Sequence, residues 1–227
     1  MRKLRTRVRL FFVACMLLIG QPDRNGWEIG ALLLVTGGLL HALAAAHLDK
    51  NRTLTISGPY RFVRNPFYVA DFFRDLGVLL ACHFAFSLEA LAVWIVGLGY
   101  FLIMYGVVIP RRVGEREEPR LEAQFGEAYR RYCRAVPRFF PRLWPIAASP
   151  GAGFRFATLR RNRELPRLLA LLVLGGLMYF RREAFYHDFV LAKVFDDPWQ
   201  ILLFASFPLV LLASKLHVDA LSRWLRA

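Results

Sequence analysis

Acidic residues are scarce in this chain: 17 Asp and Glu stand against 31 Lys and Arg in 227 residues, a formal charge of +14. Cysteine is scarcer. Cys15, Cys82 and Cys133 are scattered, with no CxxC spacing, which argues against a disulfide framework and a cysteine zinc site. The histidines are dispersed as well. His41 and His47 do not share a helix face, and His83, His187 and His217 have no ligand-spaced neighbour, so no metal cluster is visible. No known nucleic-acid module accompanies the basic excess, and nucleic acid is not an expected partner. No small-x-small cleavage site follows the short apolar run 10–20; QPDRNG after it reads as a hairpin turn, which favours a retained helix over a signal peptide.

What the chain does have is apolar length. It is 56% hydrophobic, with nearly uncharged runs at 27–47, 91–109, 168–180 and 199–214 beside the short one at 10–20. About 20 residues span ~30 Å of hydrocarbon. The expected fold is therefore all-α, a polytopic integral membrane bundle of about six spans. Placing residues 2–9, 48–65, 110–167 and the tail after 214 on one side puts 26 of the 31 Lys and Arg there. Such an excess marks the cytosolic face, so both termini are expected in the cytosol of a bacterial inner membrane or its equivalent. The same charge attracts anionic membrane lipids.

Two stretches near that face carry more than topology requires. In SGPYRFVRNPFY, Gly58-Pro59 and Asn65-Pro66 each make a turn, and Pro66 suits the first turn of a following span. In EREEPRLEAQFGEAYRRYCRAVPRFFPRLWP, residues Leu121, Phe125, Tyr129 and Tyr132 recur at helical spacing on one face, with Glu117 and Glu118 at the membrane-near end. The reading is a cytosolic amphipathic helix.

Together these stretches resemble the isoprenylcysteine carboxyl methyltransferase and phospholipid methyltransferase family, over about residues 27–145. Ser57, Gly58, Tyr60, Arg64, Pro66 and Tyr68 match its first segment. Glu117, Glu118, Leu121, Phe125, Gly126, Tyr129, Tyr132, Val136 and Pro137 match its second. The resemblance implies S-adenosyl-L-methionine (SAM) as cofactor, in a cytosolic pocket that the amphipathic helix closes, and a methyl transfer to a lipophilic acceptor arriving from the lipid phase. It implies Arg64, Asn65, Asp71 and Glu117 as catalytic candidates, and Tyr60, Arg61, Pro66, Tyr68, Glu118 and Tyr132 as cofactor contacts, with no metal. Such a transfer asks for alignment and desolvation rather than a nucleophilic side chain. Two positions depart from the pattern: Asn65 stands where the family carries His, and Ala70 where it carries Gly.

Asp71, Arg74 and Asp75 are charged at the start of a span. Asp71 lies ~7–8 Å along the helix from Pro66, deep enough to line a cytosol-facing pocket or to pair with Arg74 at i+3. A second resemblance is to membrane sterol reductases, through Tyr68-Val69-Ala70-Asp71 and the ending Tyr132-Cys133 with Val136-Pro137; it implies hydride transfer from NADPH. A catalytically silent scaffold is the third reading. Glu89 and the loop at 181–197 read as interfacial. Residues 1–145 form the expected core, 146–164 a Gly, Ser and basic linker, and 165–227 an appended transmembrane hairpin and cytosolic tail. That hairpin either covers a lateral substrate portal or builds an oligomer.

Overall fold

The computed structural model describes residues 2–20, 24–49, 53–84, 87–88, 90–149, 153–162 and 164–186. Expectations for the turn at 21–23, for Glu89, for His187 and His217, for most of the 181–197 loop and for the run 199–214 fall outside the described residues. Among the described residues every regular element is a helix and no strand occurs. Helix α1 is Arg2–Ile19 and α2 is Arg24–His47. A single 3-10 turn, Gly58–Arg61, precedes α3, Pro66–Cys82.

A continuous helical rod, Leu91–Phe125, follows. It comprises α4 (Leu91–Phe101), a wide π stretch (Leu102–Val108), α5 (Ile109–Arg112), a second π stretch (Val113–Glu117) and α6 (Glu118–Phe125). Each π stretch ends just before Pro110 or Pro119. Proline lacks the N–H that the α ladder needs and its ring crowds the preceding turn, so the ladder widens rather than breaks. Two helices, Asn25–His47 and Leu91–Phe125, are long and apolar enough to cross a membrane.

Helices α2 and α3 pack backbone to backbone because small residues line their seam. A Cβ on Gly30 would sit 2.5 Å from the Ala81 Cβ and 2.6 Å from the Gly77 carbonyl oxygen. One on Gly37 would meet the Ala70 carbonyl at 2.7 Å. Close approach of this kind replaces the missing hydrophobic drive between helices in lipid. Ala70, which stands where the methyltransferase family carries Gly, is fully buried in this seam. Helix α1 lies against α3 and α4, and Phe12 stacks on Tyr100 with centroids 3.9 Å apart.

The amphipathic helix forms with a break. Gly126, at φ +53° and ψ −129°, separates α6 from α7, Glu127–Ala135; only glycine adopts that backbone without strain. Across the break, Leu121 and Phe125 still pack on buried Tyr129 and Tyr132. After α7 the chain runs back along the α2–α3 connection. Arg64 N–H donates to the Pro137 carbonyl (2.9 Å), Arg142 N–H to Phe62 (3.0 Å), Ile146 N–H to Arg61 (3.3 Å) and Ser149 N–H to Ile56 (2.9 Å).

Residues 153–162, read as linker, fold onto the end of α2. Asn162 in the turn after α8 (Phe156–Arg161) donates to the carbonyls of Ala45 (2.8 Å) and Leu48 (3.0 Å), and Thr158 Oγ1 to that of Ala46. Helix-end carbonyls otherwise lack partners, so this segment caps α2 from outside. Residues 1–164 form one compact unit and 165–227 another. Helix α9, Glu164–Tyr186, begins at their boundary.

Candidate functional site

A layer of ion pairs surrounds the start of α3. Arg64 Nη1 donates to Glu118 Oε1 at 2.7 Å and to the Cys133 sulfur at 2.8 Å. Arg138 grips both oxygens of Glu118, a bidentate geometry available to guanidinium alone. Arg112 Nε donates to Glu117 Oε1 at 2.6 Å and to the Tyr68 hydroxyl at 3.0 Å, and that hydroxyl donates to Glu117 at 2.9 Å. The Arg5 guanidinium of α1 sits 5.6 Å above the Tyr68 ring, a cation–π contact. Four arginines thus face two glutamates, and the buried Arg64 Nε–H makes no hydrogen bond. Glu117 and Glu118, expected to meet a cationic cofactor, are already neutralised by protein cations. The layer has positive charge to spare.

Tyr60, Arg61, Asn65 and Tyr132 hold this layer in place. Tyr132 donates to the Tyr60 carbonyl (2.7 Å), Arg61 Nε to the Ile146 carbonyl (2.5 Å) and Asn65 Nδ2 to the Arg138 carbonyl (3.1 Å). Burial pushes the phenols of Tyr60 and Tyr132 above their ordinary range, so both are neutral donors at physiological pH. Pro66 is buried at the start of α3.

Farther along α3 lies a second, buried cluster. Arg9 reaches from α1 to Asp71 (3.1 Å) and Asp75 (3.0 Å), and Arg74 closes on Asp71. Tyr100 and Tyr105 both donate to Asp75 Oδ2, at 2.5 and 2.6 Å. The carboxylates are 4% and 3% exposed. Two arginines balance two aspartates, and hydroxyls complete the coordination of Asp75, as burial of charge in an apolar bundle demands. Tyr100 is buried while Tyr105 is partly exposed.

From the sequence Asp71 either lines a pocket or pairs with Arg74, and Arg9 belongs to the basic arm that sets topology and attracts anionic lipid; the structure adds Arg9 to both aspartates. It also brings in Arg5, Tyr100, Tyr105, Arg112 and Arg138. The tyrosines at 100 and 105 are five apart, which an α-helix places on different faces, but the π stretch between them restores register. Arg112 and Glu117 meet across the second π stretch in the same way. His41, read as a polar residue near the end of a span, pairs through Nδ1 with Glu164 at 2.7 Å, both buried. Among the described residues no three His, Cys, Asp or Glu side chains assemble as a metal site.

Comparison with known proteins bears on this geometry. The family model described as the ergosterol biosynthesis ERG4/ERG24 family matches residues 36–144. Cobalt-zinc-cadmium resistance protein CzcN of Cupriavidus metallidurans is 36% identical over 146 residues, covering 60% of this chain and 62% of that protein. Delta(14)-sterol reductase LBR of Gallus gallus is 23% identical over 143 residues, covering 53% of this chain and 21% of that protein. The chain thus spans less than two thirds of the length of either relative. No solved structure matches.

These matches correct the methyltransferase resemblance, and with it the transferase activity and the SAM cofactor. The likeness is to sterol reductases. Physically, the shared motif residues were a poor discriminator: Tyr60, Tyr132, Val136 and Pro137 hold the loops together and specify no reaction. The Tyr68 to Asp71 step and the Tyr132 to Pro137 ending both fall within the matched residues.

Proposed function

We propose that this chain is a membrane-embedded, sterol-reductase-like enzyme that takes NADPH at the mouth of α3 and saturates a carbon–carbon double bond in a lipophilic, sterol-like acceptor. The observation that carries this reading is the pair of clusters on one helix: surplus cations around Tyr68, and a neutral, proton-bearing cluster around Asp75, ~10 Å farther along at 1.5 Å per residue. Phosphates suit the first, and an uncharged acceptor suits the second.

Bound NADPH would supply the hydride. Arg5, Arg64, Arg112 and Arg138 would hold its phosphates by charge-assisted hydrogen bonds, while Glu117 and Glu118 fix the guanidinium planes. Tyr105 is the reachable member of the inner cluster and would give its hydroxyl proton to the double bond. Arg9 compensates the phenolate that is left, and Asp75 with Tyr100 holds the ring in place. Asp71 and Arg74 keep that arrangement electrically balanced. Tyr60, Arg61, Asn65, Pro66 and Tyr132 shape the mouth.

The finer topology belongs to the same proposal: about six spans in a bacterial inner membrane or its equivalent, both termini and the α6–α7 pair cytosolic, and a core of 1–145 joined through 146–164 to an appended hairpin from 165. Purified protein in lipid nanodiscs, supplied with NADPH deuterated at the transferable position and a Δ14-unsaturated sterol or a membrane lipid extract, tests the reaction. Deuterium in a saturated product, lost in Tyr105→Phe, is the expected result. Absence of both NADPH binding by calorimetry and deuterium transfer overturns the proposal.

A further inference from the structure

Between Glu127 and Glu164 the chain contains nine arginines and no acidic residue. Within this stretch Phe140, Leu143 and Trp144 are 87%, 88% and 78% exposed, and Phe154 and Phe156 are also largely exposed. Large apolar side chains left outside so consistently mark a contact surface. The position of the stretch in the fold says which one. Its backbone is hydrogen-bonded to residues 56–65, which connect α2 to α3, and Arg155 N–H donates to the Ala46 carbonyl in the last turn of α2. Phe154 lies edge-on to His47. The apolar residues therefore sit level with the end of a helix long enough to cross a membrane, where water gives way to lipid.

We propose that residues 138–149 and 153–156 form an interfacial patch that docks on the anionic headgroups of the cytosolic leaflet. The aromatic and leucine side chains enter the headgroup and upper acyl region, as Trp and Phe do in membrane-interface belts. Of the arginines interleaved with them, Arg138 is held by Glu118 and Arg155 lies 4.0 Å from Asp49, which leaves Arg142, whose Nη1 donates to the Ala135 carbonyl, to face lipid phosphates. Arg142 and Arg155 flank the apolar residues. The patch is continuous with the mouth of α3 through Arg138, which holds Glu118. Docking thus also restrains the loop that frames the proposed nucleotide site.

The inference rests on the chain being membrane-embedded, and its test separates the two. Full-length protein with Trp144 as sole tryptophan is reconstituted in nanodiscs of phosphatidylcholine, with and without anionic phosphatidylglycerol, each carrying lipid brominated near the headgroup or deep in the acyl chains. Resistance of the protein to alkaline extraction from membranes reports embedding independently. The expected result is blue-shifted Trp144 emission, quenched more by shallow than by deep bromines and more in anionic discs. Arg142→Gln is expected to lower the ratio of docked to free loop about fivefold, from the usual strength of one arginine near an anionic surface, with Arg142→Lys restoring it, and Arg155→Gln, whose guanidinium already pairs with Asp49, is expected to lower it less. A nitroxide attached through Leu143→Cys gives the same depth without altering the tryptophans. Water-exposed Trp144 in an extraction-resistant protein overturns the proposal. So does blue-shifted emission that no brominated lipid quenches, which would mean that protein rather than lipid covers the patch.

Discussion

Replacing Arg9 with methionine removes a cation that touches both buried aspartates, and the structure sets out what each is left with. Among the described residues, Asp71 retains Arg74 and Asp75 retains the hydroxyls of Tyr100 and Tyr105. Arg9 approaches the two carboxylates at 3.1 and 3.0 Å, and each carboxylate is at most 5% exposed at its side chain. Breaking a buried pair by removing one partner costs about 3–5 kcal/mol, because a charge is stranded without water. For a chain of this size each kcal/mol moves Tm by about 2–4 °C, so Arg9→Met lowers Tm by about 6–20 °C in detergent. The second substitution is diagnostic. Adding Asp75→Asn neutralises the stranded carboxylate and recovers most of the loss; adding Asp71→Asn instead strands Arg74 and recovers little. Differential scanning fluorimetry on the four proteins reads this directly. An unchanged Tm in Arg9→Met, or equal recovery by the two asparagines, refutes the arrangement described.

Gly30→Ala drives a methyl to 2.5 Å from Ala81 and lowers stability by about 1–3 kcal/mol, in the range of overpacked cores. Gly99→Ala, with nothing within 4 Å of its added carbon, does not lower Tm, and both are checked by thermal unfolding. Arg64→Gln or Arg138→Gln weakens NADPH binding at least about tenfold, given ~1.5–3 kcal/mol for a hydrogen bond to a charged group, with Tm changed far less; calorimetric titration measures it. Asn162→Ala leaves the carbonyls of Ala45 and Leu48 without this donor and costs about 1–3 kcal/mol, seen as faster amide exchange in the last turn of α2.

Periodicity, length and charge segregation are local properties, and they were sufficient for the helical class, the apolar runs at 27–47 and 91–109, the amphipathic face from Leu121 to Tyr132 and the turns at Gly58 and Asn65. That Glu117, Glu118, Tyr68 and Asp71 need partners was legible, because charged and hydroxyl groups on apolar helices require them. Who those partners are was not legible. Arg9 lies 66 residues from Asp75 and Arg138 lies 20 from Glu118, separations that no repeat encodes. The pairings of Tyr100 with Tyr105 and Arg112 with Glu117 violate the 3.6-residue period from which helix faces are read, and exist because the rod widens into π stretches ahead of Pro110 and Pro119. The sequence by itself determined where helices form and which charges stand on apolar helices, since hydrophobic length and helix periodicity act within a segment. Only the tertiary structure decided which charges neutralise one another, because buried ion pairs form wherever packing brings them together.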